Sequence, residues 1–147
     1  MADLSNPTDP PPGWQRDHLR EYLASDGRDG HLWNGAPTLL LTTAGRHSGQ
    51  ARRTPLLSGR DGARSVVGAS AGGSPGHPAW YHNLSADPQV RVQVLGEEFP
   101  ARARTATQEE RATLWPLMTS IWAPYDEYQT RTERQIPLVV LERVTGS

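Results

Sequence analysis

Between two apolar runs, PTLLL and PLLSG, the chain carries TTAGRHSGQARRTP, residues 42–55. Gly45 and Gly49 let the backbone turn tightly and let its N–H groups approach a ligand. Successive N–H groups in such a turn form a nest that holds an anion. Ser48 adds a hydroxyl, His47 a donor when protonated, and Arg46 and Arg52 each a planar fork that fits phosphate oxygens. The same composition suits a solvated hairpin loop, so both readings stand at this point. Further on, VVGASAGG (66–73) sets Gly68, Ala69 and Ser70 at a strand end, where a planar ring can lie against the backbone. HPAWYHNL brings Trp80 and Tyr81 into the following segment, where Trp80 suits a core equally well. Trp122, Tyr125 and Tyr128 recur every third residue. They form either the packing stripe of a helix or the wall of a pocket for a flat conjugated ligand, in which a tyrosine can supply a proton.

Other chemistries fit less well. Gly72-Gly73-Ser74-Pro75-Gly76 matches G-x-S-x-G. A nucleophile elbow needs a backbone N–H on the residue after the serine, and Pro75 has none. The stretch reads as a flexible Gly-rich loop. Among the five histidines, His77 and His82 are five apart, one more than puts two ligands on a helical face, so no metal is expected. The absence of cysteine excludes disulfides, a thiol nucleophile and iron–sulfur clusters. Arg46, Arg52, Arg53, Arg60 and Arg64 make a local basic patch. The net charge is nevertheless -1, and no aromatic interleaving accompanies the strand arginines, so nucleic acid is not expected as a partner. All 15 basic residues are Arg, which weakens any single Arg as a sign of bidentate chemistry.

These groups need elements to position them. At 147 residues the chain favours one domain over 13–147, behind a proline-rich flexible tail over 1–12. Residues 14–24 read as a short helix with Leu19, Tyr22 and Leu23 as its stripe. Strands are expected over 37–43, 53–60, 64–70, 88–95, 98–105 and 136–144, with Asp61-Gly62 as a hairpin turn. Pro78 starts a two-turn helix that Asp87-Pro88 ends. Thr107 and Glu110 form a capping box for a helix presenting Arg111, Leu114, Trp115 and Met118 on one face. A second short helix starts near Pro124. The pattern predicts a mainly β fold with flanking helices (α+β), about six antiparallel strands closed as a barrel to remove their edges. The N-terminus lacks a signal peptide's basic and apolar regions, and no apolar run reaches the roughly 20 residues of a membrane span. A cytoplasmic protein is expected, which leaves room for weak membrane association.

The segments LLLTTAGRHSGQARRTPLL, ASAGG, HPAWYHNLSADPQVRVQV, ARTATQEERATLWP and PYDEYQTRTERQIPLVVLE occur in this order over about residues 37–142. Together they resemble the deazaflavin-dependent nitroreductase family, oxidoreductases that use coenzyme F-420. The resemblance implies a split β-barrel related to FMN-binding barrels. It implies that Arg46, His47, Ser48 and Gly49, with the strand Arg52, Arg53, Thr54, Pro55, Leu56 and Leu57, hold the cofactor's phosphate side. Gly68, Ala69, Ser70 and Ala71 would lie along the deazaflavin ring, and Ala79, Trp80, Tyr81, His82 and Asn83 would also contact the cofactor. Tyr125 and Tyr128 would close over the ring and line the substrate pocket with Leu57 and Trp122. Catalytic roles fall to Tyr125, Tyr128 and Ser70. The implied reaction carries a hydride from the reduced deazaflavin to an electron-poor conjugated acceptor: a quinone, an enone or a nitroaromatic. A separate deazaflavin-reducing dehydrogenase would supply the electrons, and a homodimer is compatible with the fold. An FMN-dependent barrel enzyme and a non-catalytic deazaflavin carrier are the alternatives.

Two departures from the family pattern make a prediction. His47 and Ala71 stand where members of the family carry Lys, so each removes a permanent cation. Cofactor binding should be weaker than a lysine would give, and should weaken further as pH rises across the imidazole range. Affinity measured on both sides of that range checks this; a flat profile removes His47 from the role. Trp122 and Leu57 replace tyrosines of the family's best-known substrate pocket, which makes the pocket here more apolar. His82 replaces a usual Leu, for which there is no physical account.

Overall fold

The computed structural model describes residues 4–144 except 6, 11, 26, 29–31, 34–35, 71–72 and 74. Its elements in chain order are α1 (Trp14–Ala24), β1 (Leu32–Trp33), β2 (Ala36–Ala44), β3 (Ala51–Leu57), β4 (Gly59–Asp61), β5 (Arg64–Gly68), α2 (Ala79–Ala86), β6 (Gln89–Val94), β7 (Glu97–Thr105), α3 (Gln108–Ile121), α4 (Pro124–Thr130) and β8 (Leu138–Arg143). All ladders are antiparallel, in the order β1-β2-β6-β7-β8-β5-β4, with β3 on the other side of β2.

The sheet curls into a split barrel, the expected class, with seven strands of three residues or more and the two-residue β1. Two expectations are corrected. The strand expected over 53–60 is two strands: through Leu57 the chain pairs with β2, and Ser58 N–H still donates to Pro37 O at 2.9 Å, whereas from Gly59 it pairs with β5. The barrel is also not closed by a ladder among the described residues: β3 and β4 do not pair with each other, although they are consecutive in the chain and joined at Ser58. Thr8 and Asp9, expected in a flexible tail, are instead bonded to β3. Thr8 N–H donates to Ala51 O at 2.7 Å, and Arg53 N–H donates to Thr8 O at 2.9 Å, a parallel bridge onto the free side of that strand.

Side-chain alternation explains the layers. Leu39 and Leu41 of β2, Val90 and Val92 of β6, Ala101 and Ala103 of β7, Val67 of β5, and Val139 and Leu141 of β8 all turn inward and form the barrel core. The alternate residues of β5 and β8, namely Val66, Leu138 and Val140, face out and are covered by Leu114 and Met118 of α3 and Tyr125 of α4. Leu40 faces out from β2 onto Leu19 and Tyr22 of α1. This is why LLL in β2 and LVVL in β8 read as unbroken apolar runs: both faces of these strands are buried.

The capping box forms as expected. Thr107 Oγ1 accepts from Glu110 N–H at 3.1 Å, and Glu110 Oε1 accepts from Thr107 N–H at 2.9 Å. Arg104 binds the same carboxylate, and that hydrogen bond is the main reason it is held well below the usual carboxylate range. Thr107→Ala is expected to cost about 1 kcal/mol of stability, checked by urea unfolding.

Candidate functional site

A cavity of about 670 Å³ opens between β3, the end of β5, α2, α4 and the N-terminal segment. That volume lies in the range of small-molecule sites. One wall is β3, from Arg52 through Thr54 and Pro55 to Leu57. Its start is set by the turn at Gly45–Gly49. Gly45 N–H donates to Gln50 O at 2.8 Å, Gly49 N–H to Gly45 O at 2.7 Å, and Gly49 sits at a φ of 73°, which favours glycine. Asn83 of α2 ties this turn to the body of the protein. Its Oδ1 accepts from Arg46 N–H at 3.1 Å and its Nδ2 donates to Thr43 Oγ1 at 3.2 Å, with the side chain buried.

Other walls are aromatic. Trp80 lines the cavity from α2, and Trp122, Tyr125 and Tyr128 line it from the α3–α4 corner. Trp122 caps α3 and does not share the face of α4 with the tyrosines, which corrects the expected single helical stripe. A hydrogen bond joins Trp122 to Tyr128 anyway: Trp122 Nε1 donates to Tyr128 Oη at 3.3 Å. The rings of Tyr125 and Tyr128 meet edge to face, 6.1 Å apart at 89°. Burial pushes the Tyr125 phenol well above its ordinary pKa, and Tyr128 adds to the shift, so Tyr125 keeps its proton at neutral pH.

The end of β5 and the residues after it add a further wall. Gly68 and Ser70 line the cavity. A Cβ at Gly68 would lie 3.1 Å from Tyr125 Cε1, so a side chain there would press on the buried ring. The result is bare backbone beside an aromatic ring.

Fourteen of the predicted site residues therefore share one cavity: Arg52, Arg53, Thr54, Pro55, Leu56 and Leu57, then Gly68, Ser70, Ala79, Trp80 and Asn83, then Trp122, Tyr125 and Tyr128. Several do not. The exposed turn Arg46, His47, Ser48 and Gly49 does not line the cavity, and the bond from Arg46 N–H to Asn83 ties it to a residue that does. Ala69 is fully buried and is not part of the wall. Tyr81 shares a hydrogen bond with Thr105 Oγ1 at 2.8 Å, and the His82 ring packs against His77. Ala71 lies outside the described residues, as do Gly72 and Ser74 of the rejected elbow.

Residues not singled out in sequence also line the cavity: Thr8, Asp9, Pro10, Trp14, Gln15 and His18. Trp14 and His18 are four apart on α1, a spacing that sets both on one face and was the available signal. Asp9 Oδ1 pairs with Arg53 Nη2 at 2.7 Å, and Gln50 Nε2 donates to Thr8 Oγ1 at 2.6 Å. Among the described residues no cluster of three or more metal-binding side chains occurs, and no helix is long and apolar enough to cross a membrane.

Comparison with known proteins adds to this geometry. A family model described as F420H(2)-dependent quinone reductase matches residues 14–143. The F420H(2)-dependent quinone reductase Rv1261c of Mycobacterium tuberculosis (strain ATCC 25618 / H37Rv) is 42% identical over 130 residues, 86% of this chain and 87% of that protein. A solved structure described as an F420-H2 dependent reductase (FDR-A) superposes with a TM-score of 0.68 at 41% identity, covering 72% of this chain and 94% of its own. Another, described as a domain-swapped dimer, gives 0.70 at 38% identity, covering 86% and 92%.

Proposed function

This chain belongs to the F420H(2)-dependent quinone reductase family, and from that membership we infer that it is an oxidoreductase using the reduced deazaflavin coenzyme F-420 to reduce a quinone. At the level of the site, the reading is carried by one cavity that combines the cations Arg52 and Arg53 with the aromatic side chains Trp80, Trp122, Tyr125 and Tyr128, and in which a Cβ at position 68 would press on the Tyr125 ring. That combination fits a flat ring with an anionic tail. When bound, the reduced coenzyme supplies a hydride from its ring.

The chain's own residues then have distinct tasks. Arg52 and Arg53 hold the anionic side, with His47, Ser48 and Gly49 at the rim beyond them. Gly68 and Ser70 support the ring edge, and Ala79, Trp80 and Asn83 bound it from α2. Leu57 and Trp122 present apolar surface to a flat acceptor. The quinone gains two electrons with the hydride and one further proton, becoming the hydroquinone. Tyr125, which keeps its proton, is the first choice of donor, with Tyr128, Ser70 and water as the other sources. Enones and nitroaromatics share the acceptor's electron-poor, planar character.

Asp9 bears on affinity. Its carboxylate holds Arg53, one of the cations assigned to the cofactor's anionic side. Asp9→Asn is expected to tighten cofactor binding about three- to tenfold at low salt, with the gain shrinking as salt rises. Unchanged affinity would show that Arg53 and the cofactor do not meet.

The electron supply is a separate deazaflavin-reducing dehydrogenase, the expected location is the cytoplasm, and the assembly is a homodimer, supported by the likeness to a chain described as a domain-swapped dimer. One titration tests the function. The protein is mixed with reduced coenzyme F-420 and, separately, with FMN, following quenching of its five tryptophans. Menadione is then added and reoxidation of the coenzyme followed. Saturable binding of the deazaflavin with reoxidation is expected. Preference for FMN, or tight binding with no reoxidation, overturns the reading in favour of a flavin enzyme or a carrier.

A further inference from the structure

Residues 131–137 lead from α4, which carries Tyr125 and Tyr128, to β8. Arg134 lies in this segment, partly buried. Its guanidinium reaches two other elements of the cavity. Nη1 donates to Ala69 O at 3.1 Å and to His77 Nδ1 at 2.9 Å, and Nη2 donates to Ser70 O at 2.8 Å. Ala69 and Ser70 follow β5, whose end supplies Gly68 and Ser70 to the cavity wall. His77 precedes α2, which supplies Ala79 and Trp80. The segment is also tied back to α4. Gln129 Nε2 donates to Arg134 O at 2.8 Å, and Gln129 Oε1 accepts from Ile136 N–H at 2.9 Å.

We propose that Arg134 is a positioning residue for the quinone reductase reaction, locking the end of β5, the entry to α2 and the tyrosine helix into one register so that Ser70, Trp80 and Tyr125 face a single preformed cleft. The proposal rests on the function inferred above. Its chemistry favours arginine. A guanidinium is planar and offers five donors in fixed directions, so it can serve two carbonyls and an imidazole together, whereas a lysine ammonium is a compact point charge that does not span them. Pinning Ala69 C=O also fixes the Ser70 N–H, because the two share a planar trans peptide and point in opposite directions. Guanidinium nitrogens only donate, so His77 must offer an unprotonated Nδ1. The imidazole suits this: burial first, then Arg134, then His82, hold it below its ordinary pKa. The groups facing it are Arg134 from the 131–137 segment and the rings of Tyr81 and His82 from α2, at 4.8 and 5.6 Å between centroids.

The test compares Arg134→Gln, Arg134→Lys and His77→Ala with wild type in the full-length chain. Amide hydrogen exchange without cofactor reports the β5 end directly, because Gly73 N–H donates to the same Ser70 O at 2.9 Å. Kinetics with reduced coenzyme F-420 and menadione report the reaction, and thermal melting reports folding. In Arg134→Gln, exchange at Gly73 and Ala69 should rise at least about tenfold and kcat should fall about 10- to 100-fold, with KM for menadione within about threefold. Arg134→Lys should recover only a small part of either, and His77→Ala should show a weaker form of both. A folded Arg134→Gln with exchange and kcat within twofold of wild type overturns the proposal, as does full rescue by Lys. If Arg134→Gln does not fold, His77→Ala decides: unchanged exchange and kcat overturn it. If wild type itself fails to reoxidise the coenzyme, the function reading fails instead, while the exchange data still report whether Arg134 orders the β5 end.

Discussion

Gly68→Val is expected to lower affinity for the reduced coenzyme by more than tenfold and to destabilise the fold by about 1–3 kcal/mol. The reason is that two buried surfaces already meet at this position. A Cβ would sit 3.1 Å from Tyr125 Cε1, 3.3 Å from Cζ and 3.5 Å from Oη. The Tyr125 ring is not free to retreat. It is 3% exposed, lies 6.2 Å from the Trp115 ring and 6.1 Å from the Tyr128 ring, and its N–H donates to Trp122 O at 3.2 Å. Trp115 is itself anchored, with Nε1 donating to Asp126 Oδ1 at 2.7 Å. The strand cannot shift either, because Gly68 is in register with Leu138 of β8. Alanine needs only a few tenths of an ångström and should give an intermediate loss, while valine adds two γ-carbons to a position already crowded by the Tyr125 ring that lines the cavity. Fluorescence titration with reduced coenzyme F-420, beside urea unfolding, checks both numbers. If Gly68→Val binds the coenzyme like wild type, the ring does not lie along the end of β5.

Tyr125→Phe is expected to reduce turnover about 10- to 100-fold while changing cofactor affinity less than about threefold. The substitution keeps the ring that packs against Val66, Leu138 and Met118 and removes only the hydroxyl. The separation of effects is therefore diagnostic. Unchanged turnover would move the proton donor to Tyr128, Ser70 or water. The raised pKa adds a pH test. Its main cause is burial, and the neighbouring Tyr128 reinforces it. Because the folded-state pKa lies above the ordinary value of 10.0, the neutral phenol is favoured by folding. Its contribution to stability is complete below pH 10 and is lost as pH rises beyond it, toward the folded-state pKa. Turnover should accordingly show no alkaline limb from this residue up to about pH 10. A limb well below that, absent in Tyr125→Phe, would mean that the phenol titrates as an exposed one.

Much of the scaffold was legible because its signals are local. The Thr107–Glu110 capping box, the Asp61-Gly62 hairpin, Pro78 before α2 and the alternation of Val90, Val92 and Val94 each depend on residues within a turn or a strand of one another. The errors fall where local and long-range interactions compete. The apparently continuous strand 53–60 is divided because its first part pairs back onto β2 while Gly59 turns to a different partner, Val66 of β5. Trp122 keeps the three-residue spacing of the tyrosines yet belongs to the end of α3, since the helix is interrupted before Pro124.

By itself the sequence determined the class of fold and the chemical inventory of the site: an arginine-bearing strand, a small-residue strand end, and aromatic groups from two later helices. It could do so because residue type and short-range spacing specify strands, caps and donors directly. Tertiary structure alone decided which of these meet. It took the turn Arg46–Gly49 and Tyr81 out of the cavity wall and brought in Asp9, Trp14 and His18 from a segment that composition marks only as a polar tail and a short helix. It also set one guanidinium, Arg134, across two walls of the cavity. Those assignments rest on contacts between residues about forty to sixty-five positions apart, such as Arg53 with Asp9 and Arg134 with Ser70, and sequence spacing carries no record of such contacts until the curl of the sheet brings the partners together.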